Sequence, residues 1–421
     1  MSIRPIKNVG IISTRIAGTD GVSLEIEKWV DVLKRNQFYC FYFGGEIDRD
    51  EAVSFKIEEA HFGHPDVADI NKSLFGVTNR TRKISKNIHK IQEKLKSALY
   101  DFRKKFQIDL IIPENALTIP LNIPLGNAIT EFIAETGIPT IAHHHDFYWE
   151  RDRFQINACQ DYLDKSFPPD LPSIRHAVIN SPASKQLSHR LGISNTIVPN
   201  VYDFAKEPEG LENFPCELKG KIGIKEDELF ILQPTRVVPR KWIERSIEIV
   251  HSLELPNPTL VISHASGDEG DDYFHRIMEY AKFMGVKIIT IDNLIGGNHG
   301  NGNGNGNKKY KIADVYKCAN IITYPSGYEG FGNAFLETIY FNKPIIVNRY
   351  SIYIADIEPK GFDVITIDGI VTAKTVEKIR LVLEDKEQRE KMVKKNYDLA
   401  KRFFSFEVLE NKLLYMISTF D

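Results

Sequence analysis

Ile321-Ile322-Thr323-Tyr324-Pro325-Ser326-Gly327-Tyr328-Glu329-Gly330-Phe331-Gly332-Asn333-Ala334-Phe335-Leu336-Glu337 is the stretch on which the reading of this chain turns. A short apolar run, Ile321 to Tyr324, leads into a glycine-containing loop. A second apolar run, Pro344 to Val347, follows a segment of helical character. The order is strand, loop, helix, strand, the unit from which parallel sheets are wound. The spacing starts the helix near Gly332-Asn333. A helix N-terminus there presents unpaired N–H groups and the positive end of its dipole, and glycines let a phosphate approach the backbone. Glu337 falls inside the helix and Glu329 stays in the loop. Carboxylates accept paired hydrogen bonds from vicinal hydroxyls. The arrangement suits a phosphorylated ligand with a hydroxyl-rich group at each end, as in a sugar nucleotide. The plainer alternative is that Glu337 only complements the helix dipole and Glu329 is solvated.

The same alternation extends outward in both directions. Val9 to Ser13, Phe38 to Phe43, Asp109 to Ile112, Pro139 to Ala142, Val178-Ile179 and Thr196 to Val198 read as strands. So do Leu229 to Leu232, Thr259 to Ile262 and Lys287 to Ile291. Val22, Ile26, Trp29, Val30 and Leu33 recur at helical spacing after the first strand. Glu207-Pro208-Glu209-Gly210 reads as a linker, after which the pattern restarts. The fold class is α/β, with two Rossmann-like, doubly wound domains facing a cleft and ligands at the carboxyl ends of the strands. Asn298 to Asn307 is an Asn/Gly tract that cannot bury a core and is expected to be a flexible surface loop.

The 421 residues suffice for two domains. With 42% hydrophobic and 26% charged residues the composition is that of a soluble globular protein. A net charge of −3 gives no basic field for nucleic acid. Cys40, Cys159, Cys216 and Cys318 are scattered without a C-x-x-C pair, which argues against a zinc site or redox dithiol. The apolar cluster at Val9, Ile11 and Ile12 is too short for a signal h-region, so a cytoplasmic location is expected. Residues 80–105 form a basic amphipathic helix with an apolar stripe of Ile84, Ile88, Ile91, Leu95 and Leu99. It is either a solvated helix packed on its own domain or a contact for an anionic membrane surface or acceptor.

Three further segments follow strands. Arg236 and Lys241 place two cations at a strand end, where a fork and a point charge can neutralise a diphosphate. A departing diphosphate gains charge as its bond to the sugar breaks, so fixed cations stabilise the transition state. His143-His144-His145-Asp146 ends another strand. Neighbouring strand residues point to opposite faces, so the three imidazoles cannot all face one metal ion. One polar histidine at the cleft is the preferred reading. Gly18-Thr19-Asp20-Gly21 lacks G-x-G-x-x-G; it either cradles a phosphate, admits an acceptor or makes a tight turn with no ligand.

Taken in order, these motifs resemble the retaining glycosyltransferases of family 4, which have the GT-B architecture. Pro325-Ser326 through Glu337, with Lys343-Pro344-Ile345-Ile346-Val347, is similar to the family's P-S-x-x-E-G-F-G-x-x-x-x-E segment and the strand after it. Thr235-Arg236-Val237-Val238-Pro239-Arg240-Lys241 resembles G-R-L-x-x-x-K, and Val198-Pro199-Asn200-Val201-Tyr202-Asp203 resembles P-N-G-V-D. Trp242, Val201 and Thr235 stand where the family usually has glycine. The resemblance implies domains at 1–205 (acceptor side) and 206–400 (donor side), with residues 401–421 as a helix crossing back.

It also implies a retaining hexosyltransferase that moves glucose or mannose from a GDP- or UDP-linked donor, with no metal required. His145, Glu329, Arg236 and Lys241 would carry the chemistry. Gly18, Gly21, Gly330, Phe331, Gly332, Asn333 and Glu337 would complete the donor site, with Glu337 on the ribose. Asp20, His144, Asp146, Tyr148, Trp149 and Arg151 are the acceptor candidates, because aromatic faces and guanidinium forks suit a small polar or anionic sugar. A looser resemblance around His143 to Arg153 and Glu329 to Lys343 is to synthases of compatible solutes such as mannosylglucosylglycerate. The alternatives are a lipid-linked or polysaccharide acceptor reached through residues 80–105, a GT-B epimerase, and an inactive sugar-nucleotide-binding subunit. Glu329→Ala and Lys241→Ala are expected to abolish transfer and leave the fold intact, both being loop residues. Oligomeric state is not legible.

Overall fold

The computed structural model describes residues 6–18, 20–208, 217–265, 270–296 and 310–420. The Asn/Gly tract, Thr19 and the end of the expected linker lie outside the described residues. The chain divides into two compact units, Met1–Asn200 with Glu407–Asp421, and Val201–Phe406.

In the first unit the strands are β1 (Asn8–Ile12), β2 (Arg15–Ile16), β3 (Tyr39–Gly44), β4 (Glu46–Ile47), β5 (Ser54–Lys56), β6 (Leu110–Pro113), β7 (Thr140–His144), β8 (Ile174–Val178) and β9 (Asn195–Ile197). Strands β2 and β4 form a small parallel pair. The others form one sheet in the order β5-β3-β1-β6-β7-β8-β9, every pairing parallel. The order winds outward both ways from β1, so the switch point lies between β1 and β6, and ligand crevices open beyond the carboxyl ends there.

The second unit holds β10 (Phe230–Gln233), β11 (Thr259–Ile262), β12 (Lys287–Thr290), β13 (Ile321–Tyr324), β14 (Ile345–Asn348) and β15 (Ile365–Ile367). They pair in parallel in the order β12-β11-β10-β13-β14-β15, with the switch point between β10 and β13. Strands β10, β11, β13 and β14 are buried throughout, the signature of a sheet covered on both faces. That burial is why the sequence shows continuous apolar runs there rather than alternation.

The basic helix Arg82–Phe106 starts on a Thr81 cap and ends at Gln107 in the left-handed region. Its apolar stripe is core: Ile88, Leu95, Leu99 and Phe102 are buried within the first unit's main cluster. Tyr100 packs edge-on to Phe132 of the helix Ile123–Thr136, and Lys96 bonds Glu131 at 3.1 Å and Glu135 at 3.0 Å. The stripe is therefore occupied by the fold, and only the polar face, with Arg82, Lys83, Lys86 and Lys90, meets solvent. Among the described residues no helix is long and apolar enough to cross a membrane.

Candidate active site

In the second unit, the loops after β10 and β13 lie beside one another at the switch point. Gly327 N–H donates to the Arg240 carbonyl at 2.9 Å, and Asn348 Nδ2 donates to the Ser326 carbonyl at 3.0 Å. The loop after β13 is thus tied on both sides, and it delivers Glu329 to a buried position, 6% exposed. There Lys241, 8% exposed, donates to Glu329 Oε1, and Arg240 Nη1 donates to Oε2 at 3.1 Å. Burial alone would raise the Glu329 carboxyl, but Lys241 and Arg240 hold it below its ordinary range. Arg236 and a half-buried, neutral-leaning His264 lie near the same lysine; desolvation, then Arg236 and Lys241, push the His264 imidazole down. Among the described residues Arg236, Arg240 and Lys241 thus gather around Glu329 at this strand end, and such cations can serve a diphosphate. A donor using these groups exchanges partners with an ion pair that already exists.

Trp242 explains one departure from the family pattern. Its backbone is left-handed (φ 48°, ψ 49°), the conformation a glycine adopts most easily. Its indole lies against Gly327, so close that a Cβ there would sit 2.4 Å from the ring. The bulk that is unusual at position 242 is thus accommodated by the absence of a side chain at 327.

Gly332 is the second constrained glycine, at φ 113°. A Cβ on it would meet Tyr350 Oη at 2.5 Å, and that hydroxyl donates to the Phe331 carbonyl at 2.7 Å. The helix Asn333–Tyr340 starts directly afterwards. Glu337, on that helix, accepts a hydrogen bond from the buried Tyr316 hydroxyl at 2.8 Å, which fixes its carboxylate.

In the first unit, the polar residues gather at the ends of β1, β6 and β7. The alternation argument holds for β7: His143 and His145 share one face, and His144 takes the other. A third group that sequence reasoning missed, Glu114, follows β6 and pairs with His143 as an isolated parallel bridge. One oxygen, Glu114 Oε1, lies 2.6 Å from His143 Nδ1 and 2.6 Å from His145 Nε2. Burial would raise this carboxyl, but the two imidazoles bring it down to about 2. His145 shows the reciprocal effect: burial would lower it, and Glu114 raises it overall. The three donor atoms lie within 4.8 Å of one another, so this group, unlike the three histidines, has metal-compatible spacing.

His144 is corrected as an acceptor candidate. It is fully buried, with Nδ1 at 2.6 Å from Thr118 Oγ1 and Nε2 at 2.9 Å from His176 Nδ1. Burial and the neighbouring His176 push its pKa well down, so it is a neutral core residue. Asp20 caps the helix Gly21–Arg35 through Val22 and Ser23 N–H and pairs with Arg15 at 2.9 Å, while the Gly18 N–H is taken by Asp48 at 2.8 Å. Asp146 pairs with Arg151. Trp149 stacks on Phe147 at 4.4 Å and donates to Gln186 at 2.7 Å; Tyr148 accepts from Gln160 at 3.2 Å. Asp146, Tyr148, Trp149 and Arg151 stay partly exposed, so each retains a face for a ligand.

Two parallel, doubly wound sheets, with a glutamate–glycine loop and clustered cations at the second switch point, define the GT-B class of sugar-nucleotide enzymes. The model of the family "Glycosyl transferases group 1" matches residues 299–399. Mannosylglucosylglycerate synthase of Thermotoga maritima is 30% identical over 96% of this chain and 98% of its own length. The protein of the same name from Petrotoga mobilis is 30% identical over 85% of this chain and 86% of its own. This chain belongs to the group 1 glycosyl transferases and is a hexosyltransferase. Among solved structures, sucrose-phosphate synthase from Thermosynechococcus elongatus superposes with a TM-score of 0.66 at 14% identity, covering 98% of this chain and 99% of that one. Anabaena HepE in complex with UDP and glucose gives 0.65 at 12% identity, covering 98% and 100%.

Proposed function

We propose that the chain moves a mannosyl or glucosyl group, with retention, from a GDP- or UDP-linked donor to a small soluble acceptor of the glucosylglycerate type. The observation that carries this is the near-full-length likeness to two mannosylglucosylglycerate synthases. The HepE complex, which holds UDP, supports a nucleotide diphosphate as the leaving group. In this reading Glu329 receives the donor-sugar hydroxyls, Glu337 the ribose, and Arg236 and Lys241 the diphosphate, with His145 beside the reacting carbon. The bond from the anomeric carbon to the diphosphate breaks and the acceptor oxygen bonds to that carbon. The acceptor proton passes to a departing phosphate oxygen. In this reading Arg236 and Lys241 stabilise the charge that develops on the leaving group. No metal is required in this reading, and the reaction takes place in the cytoplasm.

The test is turnover of purified protein with GDP-mannose or UDP-glucose, each with glucosylglycerate, and proton NMR of the product's anomeric signal. Nucleotide release dependent on glucosylglycerate, with an α-linked product from an α-linked donor, supports the proposal. Release only with a lipid-linked acceptor, or none with any acceptor, overturns it.

A further inference from the structure

We infer that Glu114 is a positioning residue for His145, and that it decides which imidazole nitrogen faces the ligand. The inference rests on the reading of His145 as the residue beside the donor sugar. An ionised carboxylate can only accept hydrogen bonds. Because Glu114 Oε1 is 2.6 Å from both His143 Nδ1 and His145 Nε2, each of those nitrogens carries a hydrogen. Nε2 of His145 is thereby fixed as the inward donor, and Nδ1 is the nitrogen left for a ligand.

The arrangement is held from every side. Glu114 and His143 are each 1% exposed, and the His145 side chain only 13%. Ser13 Oγ donates to the Glu114 carbonyl at 3.1 Å, and the Glu114 N–H donates to Ile12 at 2.8 Å, so the residue is anchored to β1. Asn115, left-handed at φ 57°, donates its N–H to the His143 carbonyl at 2.9 Å and accepts the His145 N–H on Oδ1 at 3.2 Å. His143 stacks on Trp29 at 4.1 Å between ring centroids. Its Nε2 is buried and has no hydrogen-bond partner among the described residues. A protonated nitrogen buried without an acceptor would be costly, so that atom is a bare lone pair and His143 is neutral. His143 therefore acts as a brace: it uses one lone pair of Glu114 and leaves the anion to His145. The group would place an imidazole, with its charge supported from behind, at the end of β7.

The test is steady-state kinetics of Glu114→Gln, Glu114→Asp and His145→Ala, with circular dichroism to confirm folding. In Glu114→Gln the amide keeps the shape and its oxygen can still accept, but the negative charge behind the imidazole is lost and an NH2 donor competes with that oxygen for the two ring nitrogens. We expect kcat to fall on the order of 10²-fold, as for a small misplacement of a reacting group, with donor KM little changed. Glu114→Asp should recover part of the loss, and Glu114→Gln should add nothing in the His145→Ala background. A purely structural role would instead lower kcat further in that background and overturn the inference. If His145→Ala is as active as the wild type, the reading of His145 itself fails. If His145→Ala is inactive and Glu114→Gln is fully active, only the positioning role fails. Zinc or manganese that co-purifies with the wild type and is lost in Glu114→Gln would also overturn the inference, by making the group a metal centre.

Discussion

Adding a methyl group at Gly327 should drive the Trp242 indole from its place and disturb the loop that carries Glu329. A Cβ at 327 would lie 2.4 Å from Cε2, 2.6 Å from Cζ2 and 2.9 Å from Nε1 of that ring. Carbon–carbon contacts settle near 3.5–4.0 Å, so the two groups must separate by roughly 1 Å. The indole is 37% exposed and can swing outward. Its backbone is fixed by the Trp242 N–H to Pro239 bond at 3.1 Å, and the Gly327 N–H is tied to Arg240. Overpacking of this kind costs about 1–3 kcal/mol. Any share that falls on the loop geometry appears as a raised donor KM, up to about tenfold for each 1.4 kcal/mol. The decisive comparison is a double-mutant cycle. Gly327→Ala should be costly in the wild type and nearly neutral in Trp242→Gly, giving a coupling of about 1–3 kcal/mol. Thermal midpoints and donor KM values read the two arms, since a chain of two units need not unfold in a single step. An equal penalty in both backgrounds would refute the reasoning.

Gly332→Ala should be more damaging, because the added carbon meets Tyr350 Oη and the backbone must also hold φ at 113°. We expect a loss of about 3 kcal/mol in a thermal or urea melt, with only partial rescue by Tyr350→Phe, which removes the oxygen and leaves the dihedral. Lys241→Met should both abolish transfer and lower the melting temperature. It strips one cation from a buried carboxylate, at about 3–5 kcal/mol in general, and here at the low end because Arg240 remains; Lys241→Met with Glu329→Gln should melt higher than Lys241→Met alone. Glu114 gives a pH prediction. Its folded pKa of about 2 lies below its ordinary 4.5, so its contribution is complete above pH 4.5 and is lost as pH falls toward 2. The wild type should lose about 3 kcal/mol more than Glu114→Gln across that window, read from melts at stepped pH; parallel curves would contradict the Glu114–His145 ion pair.

Much of the fold was legible because its central strands are short, wholly apolar runs bounded by loops. Thr259–Ile262 and Ile321–Tyr324 are observed with the bounds read from the sequence. The edge strands Ser54–Lys56 and Ile365–Ile367 were missed, having only three residues each and partial exposure. The glycine–glutamate loop was legible as a strand-to-helix junction because apolar runs flank it and the helix starts at Asn333, right after Gly332. What the sequence hid was pairing at a distance. Glu114 follows an ordinary buried strand, and only the sheet order brings it to His143 and His145; the strand-end rule applied to β6 would have flagged it. Arg240 sat inside a quoted motif yet went unweighed, because nothing in one dimension shows that it reaches Glu329. The expectation that Glu329→Ala and Lys241→Ala leave the fold intact took both for exposed loop residues, whereas the loops bury them, Glu329 at 6% and Lys241 at 8% exposed. His144 was taken for a ligand residue because strand alternation gives two faces without saying which is the core.

The three tryptophans have a practical consequence. Trp29 lies face to face with the His143 ring, Trp149 stacks on Phe147, and Trp242 covers the backbone of the glutamate loop. Tryptophan emission excited at the red edge, beyond the 17 tyrosines, therefore originates beside the candidate residues of both units. Variants keeping one indole at a time would turn the protein into its own optical gauge, with Trp242 sensing occupancy of the nucleotide-sugar loop and Trp29 sensing the protonation of its imidazole neighbour.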